Sequence, residues 1–416
     1  MFPEKYSFGI GDRFGHQGAS QINAIIEAGK KGIDISPVWN KSNREHIYTG
    51  TDPSDVRREA DETTRNSAFR GKYFVDADHI GFDTVDKFIQ WSDWFTIDVV
   101  SFIGTEAESD RTEEFLSETK RYLGDLKIEG IAKPYIITPD QLRLITSKYL
   151  NAMIKAGEIY RKIRGARGGD DFAVEISIDE VSTPQKPADL FFILLMLAKE
   201  NIPLSTIAPR FHGKFNKGVD FEGDVNSFAA EFEQDILVLD RAVKEFGLPD
   251  SLKLSVHSGS DKFSIYPRIG RIIMKHNKGI HIKTAGTTWL EEVAGLAMAG
   301  GEAQSFARKI CVDALGRKEE LCLPYKGVIE IDERFLPSQK DIEGWTGAKL
   351  SGALRHIPGS NDYNPHFRQL VHVAYKIAAE RKEELFNHLE NNSKIIDEFV
   401  FDNLYHRHIS KIFDIR

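Results

Sequence analysis

Three histidines, His79, His212 and His257, each fall just past an apolar, β-rich run, in a chain with 13 histidines in all. They stand in "VDADHIG" (75–81), "FHGKFNKG" (211–218) and "SVHSGSDKFSIYP" (255–267). Neutral imidazoles suit Zn, Mn, Ni, Co or Fe, and three protein ligands leave positions open for substrate oxygens. A loop histidine taken alone is more often structural, so the weight rests on the equivalent positions of all three. Asp78, beside His79, is a candidate general base, because a carboxylate near a cation stays ionised and still reaches a substrate proton. Its other reading is an aspartate that satisfies loop backbone donors. Glu175 interrupts the β-branched run "FAVEISI" (172–178), and a charge inside a strand needs a partner. That favours a catalytic acid or a place beside a metal, with Asp179 and Glu180 as rivals nearer the end of the run.

The turn "HSGSDK" (257–262) adds a second kind of chemistry. Backbone N–H groups from Ser258 through Ser260 to Asp261, with Lys262 and with Lys283 of "HIKTAG", can hold a carboxylate or phosphate at a helix start. Capping of the next helix by Ser260 accounts for the same residues without a ligand. Arg13 in "GDRFGHQG" and Lys214 in "FHGKFNKG" bring further cations to the ends of other runs. The glycines of "GIGDRFG" lack the acidic partner of a dinucleotide fingerprint, and no Walker spacing occurs. Neither a G-x-S-x-G elbow nor an H-E-x-x-H helix is present.

These residues need elements that converge. Eight β-rich runs lie near 6–11, 32–38, 72–77, 95–100, 172–178, 203–208, 252–256 and 279–284. Helical stretches separate them, near 53–68, 84–91, 110–124, 140–165, 187–200, 227–246, 263–276 and 288–299. Asp52 with Pro53, and Pro187, suit helix starts, while Gly247 and Pro249 suit a stop. Strands alternating with helices predict parallel strands joined by crossovers, and eight of them predict an α/β fold of the (β/α)8 barrel type. Active sites of such barrels lie at the C-terminal strand ends, where the residues above fall. The expected organisation is a barrel over 1–300 with an insertion-like segment at 101–171, ending in a loop-like "RGARGGDD". A helical C-terminal extension over 301–416 follows, with one periodic helix at about 366–391.

Composition agrees with a globular protein, at 41% hydrophobic and 28% charged residues. A net charge of −8 argues against a nucleic-acid or anionic-membrane surface. The basic stretch 153–169 reads as a solvated helix face. The apolar run "LFFILLMLA" (190–198) is too short to span a bilayer. Two cysteines and an N-terminus without a signal-type apolar run lead us to expect a cytoplasmic protein. Nothing in the sequence sets the oligomeric state.

Taken together, "SFGIGDRFG", "VDADHIG", "EISIDE", "FHGKFNKGVDF", "SVHSGSDKFSIYP", "HIKTAGTTWLE" and "YNPHFRQLVHVAYKIAAE" resemble the tagaturonate epimerase family over most of the chain. The resemblance implies a divalent-metal-dependent barrel that interconverts D-tagaturonate and D-fructuronate in hexuronate catabolism. It implies His79, His212 and His257 as metal ligands, Asp78 as proton acceptor and Glu175 as proton donor. Retro-aldol cleavage and re-addition is the expected chemistry, since the two sugars differ at a carbon β to the ketone. The alternatives are a metal-dependent isomerase or aldolase acting on another ketose or ketouronate, and a sugar-acid-binding protein without catalysis. His366 and Arg368 either cap the C-terminal helix or reach the site.

Overall fold

The computed structural model describes residues 3–257, 261–283, 287–357 and 359–415. The roles expected of Ser258 and Ser260 therefore lie outside the described residues. Eight strands form a closed barrel: β1 (Tyr6–Ile10), β2 (Ile35–Ser42), β3 (Phe74–Ile80), β4 (Trp94–Asp98), β5 (Ala173–Ser177), β6 (Thr206–Ala208), β7 (Lys253–His257) and β8 (Ile280–Lys283). All pair in parallel with their chain neighbours, and β8 closes on β1.

Local chemistry sets the intervening helices. Asp52 accepts the Ser54 amide ahead of Pro53–Asn66, with Pro53 in the first turn. Asp224 caps Val225–Phe246, which ends at Gly247 with φ 68°, a backbone that only glycine adopts freely. Three stretches differ from the sequence reading. Residues 84–91 hold only a single turn, Val85–Lys87, because the Thr84 hydroxyl draws the Gly81 amide into a local side-chain turn. The segment 101–171 folds into Ser109–Thr119, an antiparallel hairpin (Gly124–Leu126 with Tyr135–Ile137) and Pro139–Arg167. Half of "RGARGGDD" is thus helical. The periodic stretch 366–391 breaks into Pro365–Val373, Tyr375–Ala379 and Lys382–Asn391, where the Ala374 and Arg381 amides bond three residues back.

Outward-facing strand residues such as Phe8, Ile97, Val174, Ile207 and Ile282 join the main apolar core under the helices. A second core gathers Thr288–Ala299 with the helices after residue 300. The chain end returns to the barrel, with the Phe413 ring 4.7 Å from that of Tyr6. No described helix is long and apolar enough to cross a membrane.

The barrel interior is layered. Phe74, Trp94 and Ala173, with Val38, form a fully buried apolar plug. Two residues further along their strands come Asp76, Thr96 and Glu175, also buried, and two residues beyond Asp76 the third strand reaches the cavity at Asp78. The alternation of strand side chains therefore stacks a dry floor, a charged middle layer and an open mouth.

Candidate active site

Lys283, the last residue of β8, pairs in register with His257 of β7 and Gly9 of β1. A Cβ on Gly9 would lie 3.0 Å from the Lys283 Cα, so glycine leaves room for the lysine stem. The ammonium donates to Asp78 Oδ1 and to Thr96 Oγ1, both at 2.7 Å. It also lies 3.0 Å from Asp76 Oδ2 and 3.1 Å from Glu175 Oε1. The Thr96 hydroxyl in turn bridges Asp76 and Glu175, and the Thr206 hydroxyl donates to Glu175 Oε2 at 2.6 Å. Burial works against the Lys283 charge, but the three carboxylates hold its pKa well above the ordinary lysine value. Burial also opposes ionisation of Asp78 and Glu175, and Lys283 with the neighbouring histidines overcomes it, so both stay below the usual carboxylate range. Asp76 is the member left over: burial pushes it up to about 7.

The histidines meet this layer from the mouth side. In a regular strand Asp78 and His79 would point to opposite faces. Here the β3–β4 register shifts between Ala77 and Ile80, and His79 takes φ 51°, so both residues line the cavity. A non-glycine residue in that region costs about 1–3 kcal/mol and persists only where its surroundings impose it. The His79 and His257 rings lie 5.3 Å apart at 79°. His257 Nε2 is 2.8 Å from Glu175 Oε1, and Nδ1 is 3.2 Å from Asp179 Oδ1. His79 Nδ1 is 3.4 Å from Asp98 Oδ2. Despite burial, Asp78, Asp98 and Asp179 raise His79 to about 10, and Asp179 with Glu175 raises His257 to about 9.

Donor atoms of His79, Asp179 and His257 all lie within 4.8 Å of one another. His257 Nδ1 faces the Asp179 carboxylate at 3.2 Å, and the Ser177 hydroxyl orients Asp179. Two imidazoles and a carboxylate whose donor atoms converge fit a divalent transition metal with open positions.

Above the cluster opens a cavity of about 380 Å³, a size suited to a small molecule. Asp78, His79, Asp179, Glu180, His257 and Lys283 line it, with Arg13, Arg210, Lys214 and Lys217. Arg13 is placed by Asp12, whose carboxylate gathers the amides of Phe14, Gly15, His16 and Gln17, and by Lys41, which donates to the Arg13 carbonyl at 2.6 Å. Its guanidinium pairs with Glu45 and stacks 3.9 Å over Tyr375.

Other expected residues sit differently. His212 is 64% exposed and held by Glu231, with Nδ1 2.7 Å from Oε1 and its amide donating to Oε2. The structure therefore does not bring it to His79 and His257, and Asp179 takes the third place. Glu175 is fully buried and touches the cavity only through Lys283 and His257. Asp261 and Lys262 are turned away from the cavity and fully buried, Asp261 against Arg368 and Lys262 against backbone carbonyls. Lys214 reaches the cavity but is bound to Glu330 at 2.6 Å. His366 accepts the Asp332 amide and stacks on Phe335. Sequence reasoning passed over Thr96, Asp98, Glu45, Lys217 and His372. Thr96 and Asp98 carried a signal, the inward alternation of "FTIDVV"; the others lie on segments whose sequence shows no such period.

A family model described as UxaE, tagaturonate epimerase, matches residues 1–412. The chain belongs to the tagaturonate epimerase family. Within that family, the tagaturonate/fructuronate epimerase of Thermotoga maritima is 29% identical over 419 residues, covering 97% of this chain and 80% of that protein. A glycerol-complexed crystal structure of the fructuronate-tagaturonate epimerase from Cohnella laeviribosi superposes with a TM-score of 0.82 at 25% identity, covering 100% of this chain and 81% of that one. The native structure of the same enzyme, 24% identical with a TM-score of 0.81, supports the fold.

Proposed function

We propose that this epimerase-family protein interconverts D-tagaturonate and D-fructuronate in cytoplasmic hexuronate catabolism, with a bound divalent cation. The observation that carries the reading is one cavity in which the His79–Asp179–His257 cluster and the cations Arg13 and Lys217 are presented together. A Zn, Mn, Ni, Co or Fe ion held by His79, His257 and Asp179 would supply Lewis-acid polarisation of the substrate ketone. His212 would join these ligands on an inward swing of its loop away from Glu231.

The two sugars differ at the carbinol carbon β to the ketone, which simple α-proton exchange does not invert. In our reading Asp78, ionised and at the cavity surface, takes the hydroxyl proton from that carbon. The bond between the α and β carbons then breaks. Its electron pair passes into the carbonyl to give an enediolate, and the β carbon becomes an aldehyde. The aldehyde turns over, the enediolate carbon attacks its other face, and the new alkoxide takes a proton. Lys283 stands at the cavity, charged and in contact with Glu175, so it delivers that proton while Glu175 holds its charge. Glu175 thus assists the proton donor as the counter-charge of Lys283, and the proton taken by Asp78 returns to Lys283 across their 2.7 Å contact, which resets both groups.

An NMR time course of D-tagaturonate with the metal-loaded protein tests this. Fructuronate signals should grow, vanish with a chelator, and show no deuterium at the inverted carbon in D2O. An unchanged spectrum with bound metal verified would refute the substrate assignment, and deuterium at that carbon would refute bond cleavage.

A further inference from the structure

Three of the six lysines and arginines at the cavity are paired with carboxylates. Lys283 faces three carboxylates, Arg13 pairs with Glu45, Lys214 is held by Glu330 and Glu222, and Arg210 donates to the Asp179 carbonyl. Lys326 lines the cavity too but is exposed, and Lys217 is the less exposed of the two. It lines the cavity half-buried, and among the described residues no carboxylate lies within ion-pair distance of it. Its ammonium is 6.0 Å from the Tyr325 ring. His372 lines the same cavity, 1% exposed, with Nδ1 lacking a hydrogen-bond partner.

The backbone around Lys217 is fixed from behind. Lys262 donates to the carbonyls of Asn216 at 2.8 Å and Val219 at 2.6 Å. Arg368 Nε donates to the Gly218 carbonyl at 2.5 Å, while its Nη2 bonds Asp261 at 2.7 Å. The Lys217 amide itself donates to Val328 at 2.8 Å. Both clamping side chains are fully buried, Arg368 against Asp261 and Lys262 with its pKa lowered to about 7 by burial, and together they hold three main-chain carbonyls of this segment in place.

We propose that Lys217 reads the carboxylate of the substrate, and that Lys262 and Arg368 are positioning residues that fix where its ammonium stands. The inference rests on the acidic-sugar reading above and names the residue that selects the acid over a neutral sugar. An uncompensated ammonium on a rigid segment gains a partner only when an anionic ligand enters, whereas Arg13 and Lys214 would have to exchange one carboxylate for another.

Calorimetric titration with D-galactonate, a sugar acid without the ketone, and with the neutral galactitol tests it in the full-length protein. Wild type should bind galactonate at least about tenfold more tightly. Lys217→Met should remove that preference and leave galactitol binding unchanged, and Lys217→Arg should restore part of it. With D-tagaturonate, Lys217→Met should raise KM far more than it lowers kcat. Lys262→Met, with its fold checked by circular dichroism, should give the same split at smaller amplitude. Galactonate binding unaffected by Lys217→Met would overturn the inference even if the enzyme epimerises tagaturonate. A selective galactonate site that depends on Lys217, in a protein that leaves tagaturonate unchanged, would uphold it and overturn the function proposed above.

Discussion

Replacing Lys283 with methionine keeps the apolar stem and removes the cation shared by Asp76, Asp78 and Glu175. Breaking a buried ion pair from one side costs about 3–5 kcal/mol. With unfolding entropy near 2.1 cal/mol/K per residue, 416 residues give about 0.9 kcal/mol per degree at the midpoint, so Tm should fall by about 3–6 °C. The sign of the pH dependence follows from the same contacts. In the wild type Asp78 and Glu175 are depressed, so they stabilise the fold above the unfolded carboxylate value of about 4 and lose that contribution on acidification. Without Lys283, burial raises them instead, and the folded variant keeps one more proton than the wild type, which retains only the proton of Asp76 below about 7. One extra retained proton lowers stability by about 1.4 kcal/mol per pH unit. Between about pH 5.5 and 7.5 the gap to wild type should therefore widen by about 3 kcal/mol, or about 3 °C. Scanning calorimetry of both chelator-treated proteins at the two pH values measures it. A Tm gap that stays constant or narrows as pH rises would refute the reasoning.

His79 and His257, at about 10 and 9, are protonated at neutral pH, and a metal needs them neutral, so each ion bound near neutral pH should release about two protons. Affinity should then rise with pH up to about 10, less steeply above about 9. Calorimetry in buffers of different ionisation heat counts the protons, and uptake without release would contradict the ligand set. His212→Ala should weaken metal binding by about 10–100-fold, the range seen for residues that support a metal site. Competition against a chromophoric chelator measures this, and an unchanged affinity would leave His212 bound only to Glu231. Gly9→Ala should destabilise by about 1–3 kcal/mol through overpacking against the Lys283 backbone, and slow turnover by displacing the ammonium. Wild-type Tm and rate together would show that the strand yields without moving Lys283.

The alternation of β-rich runs with helical stretches made the barrel legible, and with it the strand ends where the candidate site lies. It put Asp78, Asp179, His257 and Lys283 near the C-terminal strand ends, and left Glu175 facing either the barrel interior or the helix layer, of which the structure takes the interior. What it could not supply was depth. Glu175 lies two residues below the β5 end and is covered by Lys283, which only three-dimensional packing decides. Nor does alternation show that Asp78 and His79 share a face, because that requires the β3 register shift and the positive φ of His79. His212 belongs to a loop whose position depends on Glu231, 19 residues on. Asp261, Lys262 and Arg368 looked like anion ligands or helix caps because side-chain type is visible in sequence while direction is not. Asp261 accepts from the Arg368 and Asn403 side chains, and Lys262 and Arg368 donate to main-chain carbonyls, which no residue pattern reveals.

The apolar plug of Val38, Phe74, Trp94 and Ala173 turns the barrel into a vessel with one door. Sugar, product and water must all pass the same opening, so each occupant bars the next, and product inhibition should be competitive by construction. In the retro-aldol reading proposed above, the same closure governs the two three-carbon pieces. The enediolate half stays deeper, against the charged layer, and the aldehyde half turns nearer the exit. Every turnover is then a race between rotation inside and escape outside, and the rare losses should appear in the medium as the aldehyde fragment first.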